Sequence, residues 1–92
     1  MLKKHMVVRL RKHAVNRFLD WQRRGSPAEV SRKQAEQILT EIALKGRVVK
    51  RVPGGAVEAE HKGFYAVVRR AGKVVHLITF NGDRIWREWY RR

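Results

Sequence analysis

Gly46 divides the chain into two kinds of pattern, and that division constrains the fold more than any other feature. Before it, apolar residues recur at helical spacing. Ala14, Val15, Phe18 and Leu19 form one stripe over 13–24. Ala35, Ile38, Leu39, Ile42 and Ala43 form a second over 32–45. Gly25 closes the first helix, and Gly46 the second, with Lys45 suited to the negative end of the helix dipole. The start of the second helix is written twice. Ser26-Pro27-Ala28-Glu29 and Ser31-Arg32-Lys33-Gln34 both carry a capping residue with Glu or Gln three positions on. A turn at 27–30 and a main helix at 32–45 follow.

After Gly46 the pattern is β. Val48, Val49 and Val52 form a run that Pro53-Gly54-Gly55 ends. Residues 56–61 read as a loop or a weak edge strand. Strands are predicted at 64–70 and 74–80, joined by Ala71-Gly72, and a last strand at 84–90. Asn81-Gly82 is a strong hairpin signal, because both turn positions favour φ > 0. A short first strand falls at 6–10. The order is β-α-α-β-β-β: one α+β domain over 1–92, an antiparallel sheet of three to four strands packed on two helices.

Charge decides the class of partner. The 92 residues carry a formal charge of +14. Residues 1–24 have eight basic side chains and one acid, and residues 61–92 eight and two; the middle is nearly neutral. Such self-repulsion opposes folding and is relieved by a polyanion. At 43% hydrophobic, the chain is too apolar for a disordered basic tail. The absence of cysteine removes disulfides, thiolate metal sites and a Cys nucleophile, and fits a reducing cytosol. No apolar run is long enough for a membrane span.

Two-residue turns at 71–72 and 81–82 would pair Val67 with His76, Arg69 with Val74 and Tyr65 with Ile78. They would also set His76 opposite Arg87 and Val74 opposite Trp89. Alternation then puts Phe64, Ala66, Val68, Val75, Leu77, Thr79 and Trp86 on the face the helices cover. Tyr65, Arg69, His76, Arg87 and Trp89 share the other face. Basic groups, a histidine and aromatic rings are interleaved there, which suits stacking on bases and gripping phosphates. His76 is placed to take a proton as a general base. On the first helix, His13, Arg17, Asp20 and Arg24 cluster opposite the apolar stripe. They form either a solvated charged face or a phosphate-gripping pair at the sheet's rim. Arg84 and Trp89 extend the nucleic-acid-binding set of His13, Arg17 and Arg24.

Other chemistries lack their parts. Glu58-Ala59-Glu60-His61-Lys62 contains a carboxylate-x-Lys step, but no upstream strand carboxylate completes a Mg²⁺ site. The four histidines show no zinc spacing, and no glycine-rich phosphate loop precedes a helix. Neither a metal nor a cofactor is expected.

The block Leu10-Arg11-Lys12-His13-Ala14-Val15-Asn16-Arg17-Phe18-Leu19, with a later strand ending Ile78-Thr79-Phe80, resembles a group of small bacterial and phage proteins. These carry an HAxxRF helix and a closing strand with Thr, and their architecture is similar to the RelE/barnase/colicin-type ribonuclease toxins. The resemblance implies a metal-independent RNA-cleaving fold. In it His76 would act as base or acid, Arg69 and Arg87 would stabilise the pentacoordinate phosphate, and Tyr65 would stack or donate a proton. The last strand departs from the toxin pattern, since Trp89-Tyr90 runs at once into Arg91-Arg92.

Three readings follow. The first is a basic RNA-binding endoribonuclease, with RNA favoured over DNA. The second is a non-catalytic nucleic-acid-binding module. The third is a phage or host regulatory protein that binds an acidic protein surface. An antitoxin or a host protein would be the protein partner, and the location cytoplasmic.

Overall fold

The computed structural model describes residues 6–25 and 30–90, without the side chains of residues 89 and 90. In chain order the elements are β1 (Val7–Leu10), α1 (Lys12–Gly25), α2 (Arg32–Lys45), β2 (Arg47–Val52), β3 (Ala56–His61), β4 (Phe64–Ala71), β5 (Val74–Gly82) and α3 (Arg84–Tyr90). The strands form a five-stranded sheet in the order β1-β5-β4-β3-β2. β1 runs parallel to β5, and the other pairs are antiparallel. The fold is α+β as the pattern implies. It differs from the expected antiparallel sheet in being mixed, five-stranded and furnished with a third helix.

α2 forms where the sequence places it. The Ser31 hydroxyl accepts the Gln34 N–H at 3.1 Å, and the Gln34 side chain accepts the Ser31 N–H at 3.0 Å. That reciprocal cap satisfies two backbone donors that a helix start leaves orphaned. At the other end Gly46 keeps an ordinary extended backbone, φ −65 and ψ 145. Its glycine is required by crowding. A Cβ there would stand 2.5 Å from the Ile42 carbonyl oxygen and 3.0 Å from the Ala59 Cβ. Of the expected turn at 27–30, residues 27–29 lie outside the described residues.

Both apolar stripes face the sheet. Ala14, Val15 and Phe18 of α1, and Ala35, Leu39 and Ile42 of α2, pack on Ala59, Ala66, Val68, Val75, Leu77 and Phe80. Phe18 lies 4.9 Å from Phe80, centroid to centroid, and Trp21 meets Phe64 edge-on at 5.4 Å. Such aromatic pairs contribute about 0.5–1.5 kcal/mol each beyond the area they bury.

Three expectations are corrected. First, residues 56–61 form an interior strand between β2 and β4, not a loop or an edge. Second, residues 84–90 are helix α3, not a last strand. Asp83 caps that helix by accepting the Trp86 N–H at 2.9 Å, and Gly82 (φ 82) lets Trp86 press where a Cβ would collide at 2.3 Å. The Asn81-Gly82 pair therefore ends a strand and makes no hairpin. β1 already occupies part of the edge that a hairpin partner would need. Third, the β4–β5 turn sits one residue further on, so Arg69 pairs with His76 and Ala71 with Val74.

β5 also carries two irregularities. Its register against β4 slips between the Val68–Leu77 and Val67–Thr79 pairs, and again between Ala66–Phe80 and Tyr65–Gly82. Ile78 and Asn81 are the extra residues. Each bulge resets the alternation. The first moves Thr79 to the face away from α1 and α2, opposite Val67, and lets Phe80 reach the core.

Candidate nucleic-acid interface

The sheet face away from α1 and α2 is built from cross-strand rows. Parallel pairing sets Arg9 of β1 beside His76 of β5, and antiparallel pairing sets His76 beside Arg69 of β4. Directly opposed residues stand about 5 Å apart at Cβ, so two guanidinium side chains flank one imidazole. Arg9 and Arg69 are exposed and His76 is half-buried. Among the described residues no carboxylate pairs with either arginine. Unneutralised cations side by side oppose folding locally and attract an anion.

The next row runs Lys50–Glu58–Val67–Thr79 across β2, β3, β4 and β5. Glu58 is 3% exposed. α3 supplies its partner. Arg87 Nη2 donates to Glu58 Oε1 at 2.7 Å and Nε to Oε2 at 2.8 Å, while Asn81 Nδ2 donates to Oε2 at 2.9 Å. The same guanidinium lies 4.7 Å above the centre of the Tyr65 ring. Burial alone would raise the Glu58 carboxyl. The hydrogen bonds from Arg87 and Asn81, with the Arg87 charge, outweigh it and hold the carboxyl below its ordinary value. The same bond to Glu58 raises Arg87, against its own burial. A cleft of about 260 Å³, lined by Lys50, Val52, Pro53, Val67 and the Glu58, Asn81 and Arg87 group, opens beside this pair.

The four residues expected to act together are therefore split. His76 and Arg69 are neighbours, as the face assignment requires. Arg87 does not oppose His76, because it belongs to a helix and is committed to a buried carboxylate. Tyr65 lies beneath Arg87, four residues along β4 from Arg69, or about 13 Å. Arg9 takes the position expected for Arg87.

The helix-one residues gather at an edge. β1 ends at Leu10, opposite Leu77, so β5 continues past it with no strand on that side among the described residues. α1 supplies hydrogen bonds there. Arg17 Nε donates to the Phe80 carbonyl at 2.8 Å, and its guanidinium sits 5.2 Å from the Trp86 ring centre. His13 Nε2 lies 3.2 Å from Thr79 Oγ1. Arg24 pairs instead with Asp20 at 3.5 Å on the exposed side of α1, an ion pair that contributes little. Arg84 is exposed in the first turn of α3, and the Trp89 side chain lies outside the described residues.

Sequence reasoning missed two residues here. Arg9 alternates with Val8 and Leu10, a signal that marks a strand but not which strand lies beside it. Thr79 was assigned to the core by unbroken alternation, which the bulge at Ile78 overturns. Among the described residues, no group of three or more His, Asp and Glu side chains is placed to share a metal ion, and no helix is long and apolar enough to cross a membrane.

Compared with known proteins, the chain matches no family model, no curated protein and no solved structure at a significant level.

Proposed function

We propose that this protein binds RNA across the Arg9–His76–Arg69 row and cleaves it without a metal ion. One observation carries the reading: an imidazole stands in register between two exposed, unneutralised arginines on the sheet face that α1 and α2 leave open. His76 takes the proton of a ribose 2′-hydroxyl. The 2′-oxygen attacks the adjacent phosphorus, and the bond to the 5′-oxygen breaks. Arg9 and Arg69 stabilise the charge that builds on the non-bridging oxygens. The products are a 2′,3′-cyclic phosphate and a 5′-hydroxyl. DNA lacks the nucleophile and is bound without being cut. The net charge of +14 supports the same class, as does the resemblance of the Leu10-to-Leu19 block to small bacterial and phage proteins whose architecture is similar to the ribonuclease toxins.

Labelled RNA and DNA incubated in EDTA across a salt series test this directly. RNA is expected to yield cyclic-phosphate ends while DNA stays intact, with binding that weakens steeply as salt rises. Binding without cutting would discard the nuclease and keep the nucleic-acid-binding module. Salt-insensitive indifference to both polymers, with one host protein retained after nuclease treatment, would favour the protein-binding reading instead.

A further inference from the structure

In-line displacement at phosphorus sets the attacking and leaving oxygens on opposite sides of the phosphate, so two proton carriers must flank it. His76 supplies one. Tyr65, which the resemblance offers for the other, lies under Arg87, about 13 Å away along β4. Lys50 shares the Thr79 row but stands three strands away on β2. One imidazole is nearer. Thr79 and His76 pair with Val67 and Arg69, which are two residues apart on β4, so about 7 Å separates them along the sheet. They share the open face only because Ile78 is an extra residue. At an uninterrupted spacing of three, their side chains would point to opposite faces. Thr79 in turn holds His13, an exposed side chain in the first turn of α1.

We infer that His13, fixed by the Thr79 hydroxyl, is the general acid that protonates the 5′-oxygen as it leaves. The inference rests on the RNA-cleaving reading above and adds the residue that completes its proton balance. An imidazolium at 13 donates one N–H to Thr79 Oγ1 and gives the proton of its other ring nitrogen to the leaving oxygen. His76 meanwhile gains the proton of the 2′-hydroxyl. The bulge at Ile78 is then the device that brings acid and base to one phosphate. Thr79 is a positioning residue.

The test uses a leaving group that needs no proton. Wild type, His13→Ala, His13→Gln, Thr79→Val and His76→Ala are assayed in EDTA on a short RNA and on the same RNA with a bridging 5′-sulfur at the scissile phosphate. His13→Ala is expected to cut the all-oxygen RNA about 10²–10³-fold more slowly than wild type. It should cut the sulfur-bridged RNA within about threefold of wild type. Thr79→Val should lose about tenfold on oxygen alone, and His76→Ala should be slow on both substrates. Equal slowing of folded His13→Ala on both substrates, or wild-type rates on both, would overturn the inference. Should that variant fail to fold, His13→Gln is read by the same two rates. A wild-type protein that cuts neither substrate would sink the RNA-cleaving reading itself, which is a different result from a His13 variant that sulfur does not rescue.

Discussion

Two polar clusters lie on the same sheet face and have opposite character. The charges of Glu58 and Arg87 answer each other. The carboxylate accepts three hydrogen bonds, the guanidinium of Arg87 spans both its oxygens, and Tyr65 covers that guanidinium from one side. Along Arg9, His76 and Arg69 no described carboxylate answers the charge. The first cluster docks α3 on the sheet; the second carries its arginines without a described counter-charge. Residue type does not tell them apart, since each contains arginine on a face with apolar neighbours. What separates them is whether a partner reaches the guanidinium.

The sharpest way to break this contrast is to remove Arg87. Arg87→Ala leaves Glu58 buried without a counter-charge, and breaking such a pair typically costs about 3–5 kcal/mol. At about 4–8 °C per kcal/mol for a domain of this size, thermal denaturation should show a large drop in Tm. A loss under about 1 kcal/mol would mean that α3 does not depend on the pair.

His76→Ala is the matching change in the open row. RNA cleavage should fall by about 10²–10⁴-fold. Stability should shift by no more than about 1 kcal/mol, since His76 is half-buried and stands outside the core cluster. A variant that unfolds instead would place His76 with the structural cluster.

Acid sharpens the contrast from the other side. The folded Glu58 carboxyl titrates below its ordinary 4.5, so its contribution is fully present above that value and is lost as pH falls through the lower folded value. Denaturant unfolding from about pH 6 to about pH 2 should therefore show wild type losing stability more steeply than Glu58→Gln below the ordinary carboxylate range. Parallel curves would remove Glu58 from the account of α3.

The smallest effect is expected from Arg69→Gln. Loss of one phosphate contact should lower the slope of log affinity against log salt by about 1 and leave Tm nearly unchanged. An unaltered slope would take Arg69 off the RNA path.

Local chemistry made α1 and α2 legible. Ser31 and Gln34 form the capping box that their spacing announces, and Gly46 stops α2. The pairing of long-range partners was less legible. Ile85, Trp86, Trp89 and Tyr90 have strand-forming side chains, yet Asp83 caps a helix there, and β1 had taken part of the edge that a further strand would use. The fate of Arg87 followed from that change, because a helix carries it to Glu58. Arg9 was hidden because nothing local says that β1 lies parallel to β5. Thr79 was hidden because a bulge adds one residue and leaves no mark in composition. His76 and Arg69 survived as neighbours, since a shift of the turn by one residue at each end kept them on the same face.

The most direct measurement is a titration of isotope-labelled protein with a short RNA that carries 2′-O-methyl groups and so cannot be cut, followed by backbone amide and imidazole resonances. The open row predicts shifts concentrated at Arg9, Arg69, His76, Thr79 and the His13 ring, with Glu58 and Arg87 little moved. Shifts gathered around Glu58, Asn81 and Arg87, or spread evenly over the basic surface, would contradict it.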